Sequence, residues 1–277
     1  MGRRSTSEKA RAAVGVVLGA ALLAGCGQAP AADQRAVGSS STASPSPVAP
    51  RKVTAAERAK LPKATTHATL KKASTDPAPF ELSNGRVIHP KEPVVLYTRP
   101  GGPPVAMLPT TQLKNPTWVP VVQRRPGWAR VLLPSRPNRA TGWIYTAGKG
   151  LKVRHSPYVV RVKLESRKLT VTKDGRSLGS WKVTIGAPDT PTPKGRTFML
   201  ASLAPKEPSY SRLILPLGTH SDTLTTYGGG PGTVGFHTWQ DPSVFGKAIS
   251  HGCVRVPKPA LRVLEEVPLG SLVLITA

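Results

Sequence analysis

Proline is the feature that most restricts the folds available to this chain. The sequence contains 30 prolines between residues 30 and 268, and only 4 phenylalanines. Proline removes a backbone donor and disrupts the interior of a helix, so this composition favours strands and loops over helices. The length of 277 residues and the hydrophobic content of 39% are sufficient for one or two domains with ordinary cores.

The first 25 residues are arranged like an export signal. A basic start is followed by an apolar run at residues 12–24, which is too short to span a bilayer. The run ends in Leu22-Leu23-Ala24-Gly25-Cys26, which resembles a bacterial lipobox. The resemblance implies cleavage before Cys26 and acylation of its thiol, whereas ordinary secretion would leave Cys26 unmodified.

Residues 26–79 are rich in Ala, Ser, Thr, Pro and Lys, and we predict that they form a disordered, lipidated tether. A helical turn is expected only at residues 55–60, where Pro62 ends it. The formal net charge of +25 favours polyanionic partners such as anionic lipid head groups and cell-wall polymers. Nucleic acid is not an expected partner. The sequence has no basic stripe with interleaved aromatic residues, and export argues against contact with nucleic acid.

Residues 80–153 contain short β-rich runs separated by turn signals, which predicts a small barrel or sandwich. The runs at residues 127–131 and 141–144 resemble bacterial SH3-like domains, which implies a small β-barrel that binds cell-wall material. Taken one at a time, Trp118, Trp128 and Trp143 are interpreted as core residues of this domain.

Residues 154–277 form a third segment, also mainly β. Alternating patterns at residues 159–164 and 168–172 are followed by a turn signal at residues 173–176. Further strands are predicted at residues 180–186, 196–201, 234–237, 253–256 and 271–276. With a helix at residues 257–266, the chain as a whole is predicted to be mainly β with one or two short helices.

Cys253 is the residue of this segment that most needs an explanation. If Cys26 carries lipid, Cys253 has no partner within an exported chain. His237 ends a predicted strand and could take the thiol proton. Gly252 allows the close backbone approach that an oxyanion hole requires, and Arg255 would lie on the same strand face as Cys253.

Spacing alone leaves three interpretations of these residues open. They could form a cysteine nucleophile with its base, they could be structural, or they could bind zinc. In the zinc interpretation the ligands would be His237, His251 and Cys253, with His220 as the fourth. Zinc ligands of this kind usually occur in pairs at short spacings and with more cysteines.

The sequence GFHTWQDPSVFGKAISHGCVR at residues 235–255 resembles the signature of the YkuD-type L,D-transpeptidases. That signature is a histidine, a variable loop and then Ser-His-Gly-Cys-x-Arg/Asn. The sequence IGAPDTPTPKG at residues 185–195 is similar to the Gly…Thr-Pro-x-Gly segment of the same family. The resemblance covers residues 157–277.

The resemblance implies a cysteine acyltransferase that acts on peptidoglycan stem peptides. Cys253 would attack the carbonyl at the L-centre of the third residue of a donor tetrapeptide stem, release D-Ala and pass the acyl group to an amine of a second stem. His237 would be the general base, oriented by the main-chain carbonyl that follows it. Arg255 would bind substrate. The site would be supported, or main-chain donors supplied, by Ser250, His251, Gly252 and Thr238.

The same resemblance implies that no cofactor or metal is needed and that carbapenems can acylate Cys253. The protein would work in the cell wall, anchored by lipid to the outer face of the cytoplasmic membrane. Thr238 departs from the Gly or Ser common at this position, which could narrow the entrance. An L,D-carboxypeptidase and a non-catalytic wall-binding lipoprotein are the alternatives.

Overall fold

Strands dominate the structure, which confirms the prediction of a mainly β protein. The computed structural model describes residues 46–205 and 210–277. The predicted signal peptide, Cys26 and the first part of the predicted tether lie outside the described residues. No helix in the described ranges is long and apolar enough to cross a membrane.

An eight-stranded antiparallel sheet occupies most of the first half of the described chain. Its path runs β10-β2-β7-β8-β9-β3-β4, with β1 added beside β9. The strands are β1 Ser74–Thr75, β2 Arg86–Pro90, β3 Val94–Tyr97, β4 Pro104–Leu108, β7 Val119–Arg125, β8 Trp128–Leu132, β9 Ala140–Tyr145 and β10 Leu151–His155. A short hairpin, β5 Thr111–Gln112 and β6 Asn115–Pro116, lies beside this path.

The runs singled out at residues 127–131 and 141–144 are strands β8 and β9, but the pattern missed β2 and β10. These two strands pair along their full length, from Leu151 opposite Pro90 to His155 opposite Arg86. The predicted boundary between residues 153 and 154 therefore falls inside a paired strand. Because β10 is mostly exposed and strongly basic, it lacks the alternation that reveals a half-buried strand.

The three tryptophans of this region have different environments. Trp128 and Trp143 are buried beside Tyr97, as expected for core residues. Trp118 is only half-buried. It stacks on His89 at a centroid distance of 5.1 Å, and the guanidinium of Arg154 lies 5.0 Å from its ring centroid. The core interpretation is therefore wrong for Trp118.

The second half is built on a five-stranded sheet ordered β13-β12-β11-β20-β15. Its strands are β11 Tyr158–Lys163, β12 Lys168–Lys173, β13 Arg176–Lys182, β15 Gly195–Phe198 and β20 Leu272–Thr276. The predicted turn between β12 and β13 is present, with Asp174 and Gly175 at φ 48° and 76°. Positive φ at both central positions is typical of a tight hairpin turn.

A three-stranded sheet, β16-β17-β19, and a two-stranded sheet, β14-β18, complete this half. The strands are β14 Ile185–Gly186, β16 Ile214–His220, β17 Thr233–His237, β18 Ala248–Ser250 and β19 Val254–Arg255. Within the described residues there are two α-helices, α1 Ala55–Lys60 and α2 Lys258–Glu265, close to where they were predicted. Val160, Phe236, Val254, Leu264 and Ile275 belong to the core that joins α2, the five-stranded sheet and the three-stranded sheet.

Residues 50–79 differ from the predicted disordered tether, and we correct that prediction for this range. Ala64 and Leu70 are buried in the same core as the eight-stranded sheet. Asp76 forms a buried ion pair with Arg196 of β15 at 2.6 Å. Composition could not show this order, because it depends on a few small or polar residues whose partners are distant in sequence.

Asp76→Asn should destabilise the protein by about 3–5 kcal/mol, because Arg196 would stay buried without its counter-ion. The measurement is the free energy of unfolding from urea denaturation, followed by tryptophan fluorescence. Glu57→Gln is the control, since the Arg51–Glu57 pair is exposed and such pairs contribute little. If both variants unfold at the midpoint of the parent, residues 50–79 do not stabilise the fold.

Candidate active site

Two neighbouring parallel strands bring the predicted catalytic residues together. In β17 and β19, Phe236 pairs with Val254 and His237 pairs with Arg255. Cys253 directly precedes β19, so the same register places it beside Gly235 in the middle of β17. Since both strands are anchored in the core, the backbone positions of His237 and Cys253 are fixed by sheet register.

The two residues line one cavity of about 270 Å³. Ser250, His251 and Arg255 line it as well, as the sequence predicted. Gly252 and Thr238 lie behind this surface and are buried. Tyr210, Tyr227 and Trp239 add aromatic walls that the sequence analysis did not assign.

His237 is oriented by its own neighbour. Its Nδ1 lies 2.7 Å from the Thr238 carbonyl oxygen, so Nδ1–H donates and Nε2 is left to accept a proton. Burial lowers the pKa of His237, the Thr238 hydrogen bond opposes this shift, and the nearby Arg255 cation adds to the lowering. The imidazole is therefore neutral at physiological pH, as a general base must be.

Cys253 is unpaired and half-buried. Burial raises the pKa of its thiol, while the backbone N–H of Gly235 and the charge of Arg255 act in the opposite direction. The resting state is consequently a thiol beside a neutral imidazole. A thiolate forms only when the thiol proton is transferred, which is the function expected of His237.

The turn before Cys253 is held by the hydroxyl of Ser250. This hydroxyl donates to the Cys253 carbonyl oxygen and accepts the N–H of Gly252 at 3.2 Å. Gly252 has φ +109°, a backbone angle that residues with a side chain rarely adopt. The Gly252 N–H is thus engaged with Ser250 in this structure, and its assignment to an oxyanion hole stays a prediction.

Thr190 and Thr192 hold the same turn from behind, and the sequence analysis gave them no role. Thr190 Oγ1 donates to the Ser250 carbonyl oxygen at 2.9 Å, and Thr192 Oγ1 donates to that of Gly252 at 2.8 Å. Thr192 Oγ1 also accepts the N–H of Gly186 at 2.9 Å. The Thr-Pro-Thr-Pro sequence was the available signal for these two residues. In the structure its threonine hydroxyls hold the turn that precedes Cys253.

The aromatic walls pack against the side chains of Arg255 and His237. The Arg255 guanidinium lies 3.9 Å from the ring centroid of Trp239, a close cation–π contact. The ring of Tyr210 meets His237 edge-on at 4.8 Å. Among the described residues, the buried Nε of Arg255 has no hydrogen-bond partner.

The remaining histidines do not complete a metal site. His251 is exposed, and its Nδ1 lies 3.3 Å from the hydroxyl of Tyr227. Nε2 of His220 lies 2.8 Å from the Thr66 carbonyl oxygen, and burial lowers the pKa of His220 to about 4. Within the part of the chain that the structure describes, no three His, Cys, Asp or Glu side chains are grouped for a metal ion.

Residues 157–275 match the family model of the YkuD L,D-transpeptidase catalytic domain. This match supports an L,D-transpeptidase catalytic domain over these residues, which are less than half of the chain. A curated relative, the putative L,D-transpeptidase YkuD of Bacillus licheniformis, is 29% identical over 121 residues. The aligned residues are 43% of this chain and 66% of that protein, which is slightly less than two thirds of its length.

Solved structures of L,D-transpeptidases are also similar to this chain. An L,D-transpeptidase from Mycobacterium smegmatis is 16% identical with a TM-score of 0.35, covering 57% of this chain and 99% of that one. L,D-transpeptidase 3 from Mycobacterium tuberculosis, in complex with a faropenem-derived adduct, is 14% identical with a TM-score of 0.40. That likeness covers 57% of this chain and 93% of the other.

Arg255→Gln should make Cys253 less reactive at neutral pH. The charge of Arg255 lowers the pKa of the Cys253 thiol and so opposes the effect of burial. Without that charge the pKa rises further, and a smaller fraction of the thiol is ionised at a given pH. We expect alkylation by iodoacetamide to slow about threefold to tenfold at pH 8 and its pH profile to move toward alkaline pH. Arg255→Lys keeps the charge and should restore most of the rate. Identical profiles for all three proteins would contradict this electrostatic role.

Proposed function

We propose that this protein is a peptidoglycan L,D-transpeptidase with Cys253 as its nucleophile. The observation that carries the proposal is the hydrogen bond from His237 Nδ1 to the Thr238 carbonyl, in a cavity that also contains Cys253. It leaves Nε2 as the free base in the same cavity as a thiol that needs deprotonation. The family match of residues 157–275 supports the same chemistry.

The first half-reaction forms a thioester. His237 Nε2 takes the thiol proton, and the Cys253 thiolate attacks the carbonyl at the L-centre of the third stem residue. The carbon–nitrogen bond to D-Ala then breaks, and the His237 imidazolium returns the proton to the leaving amine. Free D-Ala departs and the donor stem stays bound to sulfur as an acyl group.

The second half-reaction transfers that acyl group to an amine of another stem. His237 takes a proton from the attacking amine, a new amide bond forms, and the thioester bond breaks to regenerate the Cys253 thiol. The cationic Arg255 stabilises negative charge on sulfur in both half-reactions, because it acts in a partly desolvated cavity.

We further propose that the protein works in the cell wall, attached by a lipid on Cys26 to the outer face of the cytoplasmic membrane. Residues 80–153 would act as an SH3-like module that contacts wall material. The net charge of +25 supports association with anionic polymers and head groups. A carbapenem should acylate the same thiolate, since its strained lactam carbonyl is an electrophile for Cys253.

Incubation of the purified full chain with a carbapenem should add one molecule of drug, visible as a single mass increase in the intact protein. Cys253→Ala should abolish the adduct, because the nucleophile is gone, and Cys26→Ala is the matched control that should keep it. A folded parent protein without an adduct, or an adduct retained in Cys253→Ala, contradicts the proposal.

The same proteins should next be incubated with tetrapeptide stems. Mass spectrometry distinguishes a cross-linked dimer, expected for a transpeptidase, from a shortened monomer, expected for a carboxypeptidase. Release of D-Ala without a dimer would mean that water, and not an amine, attacks the thioester in the second half-reaction.

Cys26→Ala should change the location of the protein in bacterial cells that process lipoproteins. Without the acylated thiol, the protein should leave the membrane fraction or accumulate with its signal peptide uncleaved. Fractionation followed by immunoblotting measures this. Membrane association identical to that of the parent would remove the lipid anchor from the proposal.

A further inference from the structure

A second cavity lies beside the one that contains Cys253. It has a volume of about 610 Å³, which is in the range of sites that hold small organic ligands or short peptides. Tyr210 and Trp239 line both cavities and thus form a common wall. The second cavity contains neither Cys253 nor His237, so it cannot hold the bond that is attacked.

The second cavity adjoins the residues that position His237. Thr238 lines it and supplies the carbonyl that orients the imidazole. Ser211, also in the lining, accepts the N–H of Thr238 at 2.9 Å, and Thr238 Oγ1 donates to the Tyr210 carbonyl at 2.9 Å. A ligand bound here would approach the reaction from the His237 side of the common wall.

The rim of the second cavity carries excess positive charge. Arg212, Lys258 and Arg262 all line it, and only Arg212 has an acidic partner, Glu265. In the described ranges, neither Lys258 nor Arg262 forms an ion pair. They are four residues apart on α2, where like charges repel each other. An anionic ligand would relieve this repulsion.

We propose that this second cavity binds a carboxylate of the acceptor stem peptide, with Lys258 and Arg262 as its charged contacts. This inference rests on the proposed function. The acceptor must deliver its amine to the thioester on Cys253 while His237 takes a proton from that amine. A stem whose carboxylate is held beyond Tyr210 and Trp239 would present its amine on the side where His237 lies.

The test uses the full chain and the double variant Lys258→Gln with Arg262→Gln. Dimer formation is measured against acceptor concentration at a fixed, saturating donor concentration. The half-saturating acceptor concentration should rise roughly tenfold in the variant, because two charged contacts are lost. The rate at saturating acceptor and the rate of carbapenem acylation should stay unchanged. The matched control is Lys163→Gln with Lys168→Gln, two exposed lysines on the five-stranded sheet.

A second acceptor distinguishes charge recognition from a general disturbance of the site. An acceptor stem whose carboxylates are converted to amides should bind the parent and the double variant equally, since it has no charge for the lysine and arginine to contact. High salt should weaken the carboxylate acceptor in the parent more than in the variant.

Three results would overturn the inference. These are an unchanged half-saturating concentration of the carboxylate acceptor, an equal loss for the amidated acceptor, and an effect on the donor instead of the acceptor. Each leaves Cys253 acylation intact and so leaves the proposed function standing. Failure of the parent to be acylated would instead overturn the proposed function.

Discussion

The parallel pairing of β17 and β19 is the constraint on which the site depends. It places His237 opposite Arg255 and brings Cys253 beside Gly235 of β17. A shift of one residue in either strand would turn these side chains to the opposite face. The buried Phe236 and Val254 oppose such a shift, because they would have to leave the core. The packing of the core therefore fixes the positions of the residues that line the cavity.

Buried hydroxyl groups provide the second level of support. Ser250, Thr190 and Thr192 bond to main-chain groups of the turn that carries Cys253. A hydroxyl can donate and accept at the same time, so one side chain ties two backbone segments together. The turn is irregular and has few ladder hydrogen bonds of its own. These three side chains supply the rigidity that regular pairing would otherwise give.

The sequence predicted what is encoded locally. Alternating residues and the Asp174-Gly175 turn signal predicted the hairpin of β12 and β13, and the resemblance of residues 235–255 to a family signature predicted that His237 and Cys253 share a site. It did not predict β10, whose exposed face gives no alternation. Nor did it predict Trp239 beside Arg255, or the hydroxyls of Thr190 and Thr192 behind the turn. Those contacts form only when distant parts of the chain are folded together.

Buried contacts of residues 50–79 join this segment to the strands of the second half of the protein. Thr66 accepts a hydrogen bond from His220 of β16, and Asp76 pairs with Arg196 of β15. Phe198, Leu200 and Leu272 in turn share a core with the eight-stranded sheet. A segment cut at residue 157 would expose those apolar side chains to water. Residues 157–275, which match the family model, therefore depend on residues outside the match for the burial of their apolar side chains.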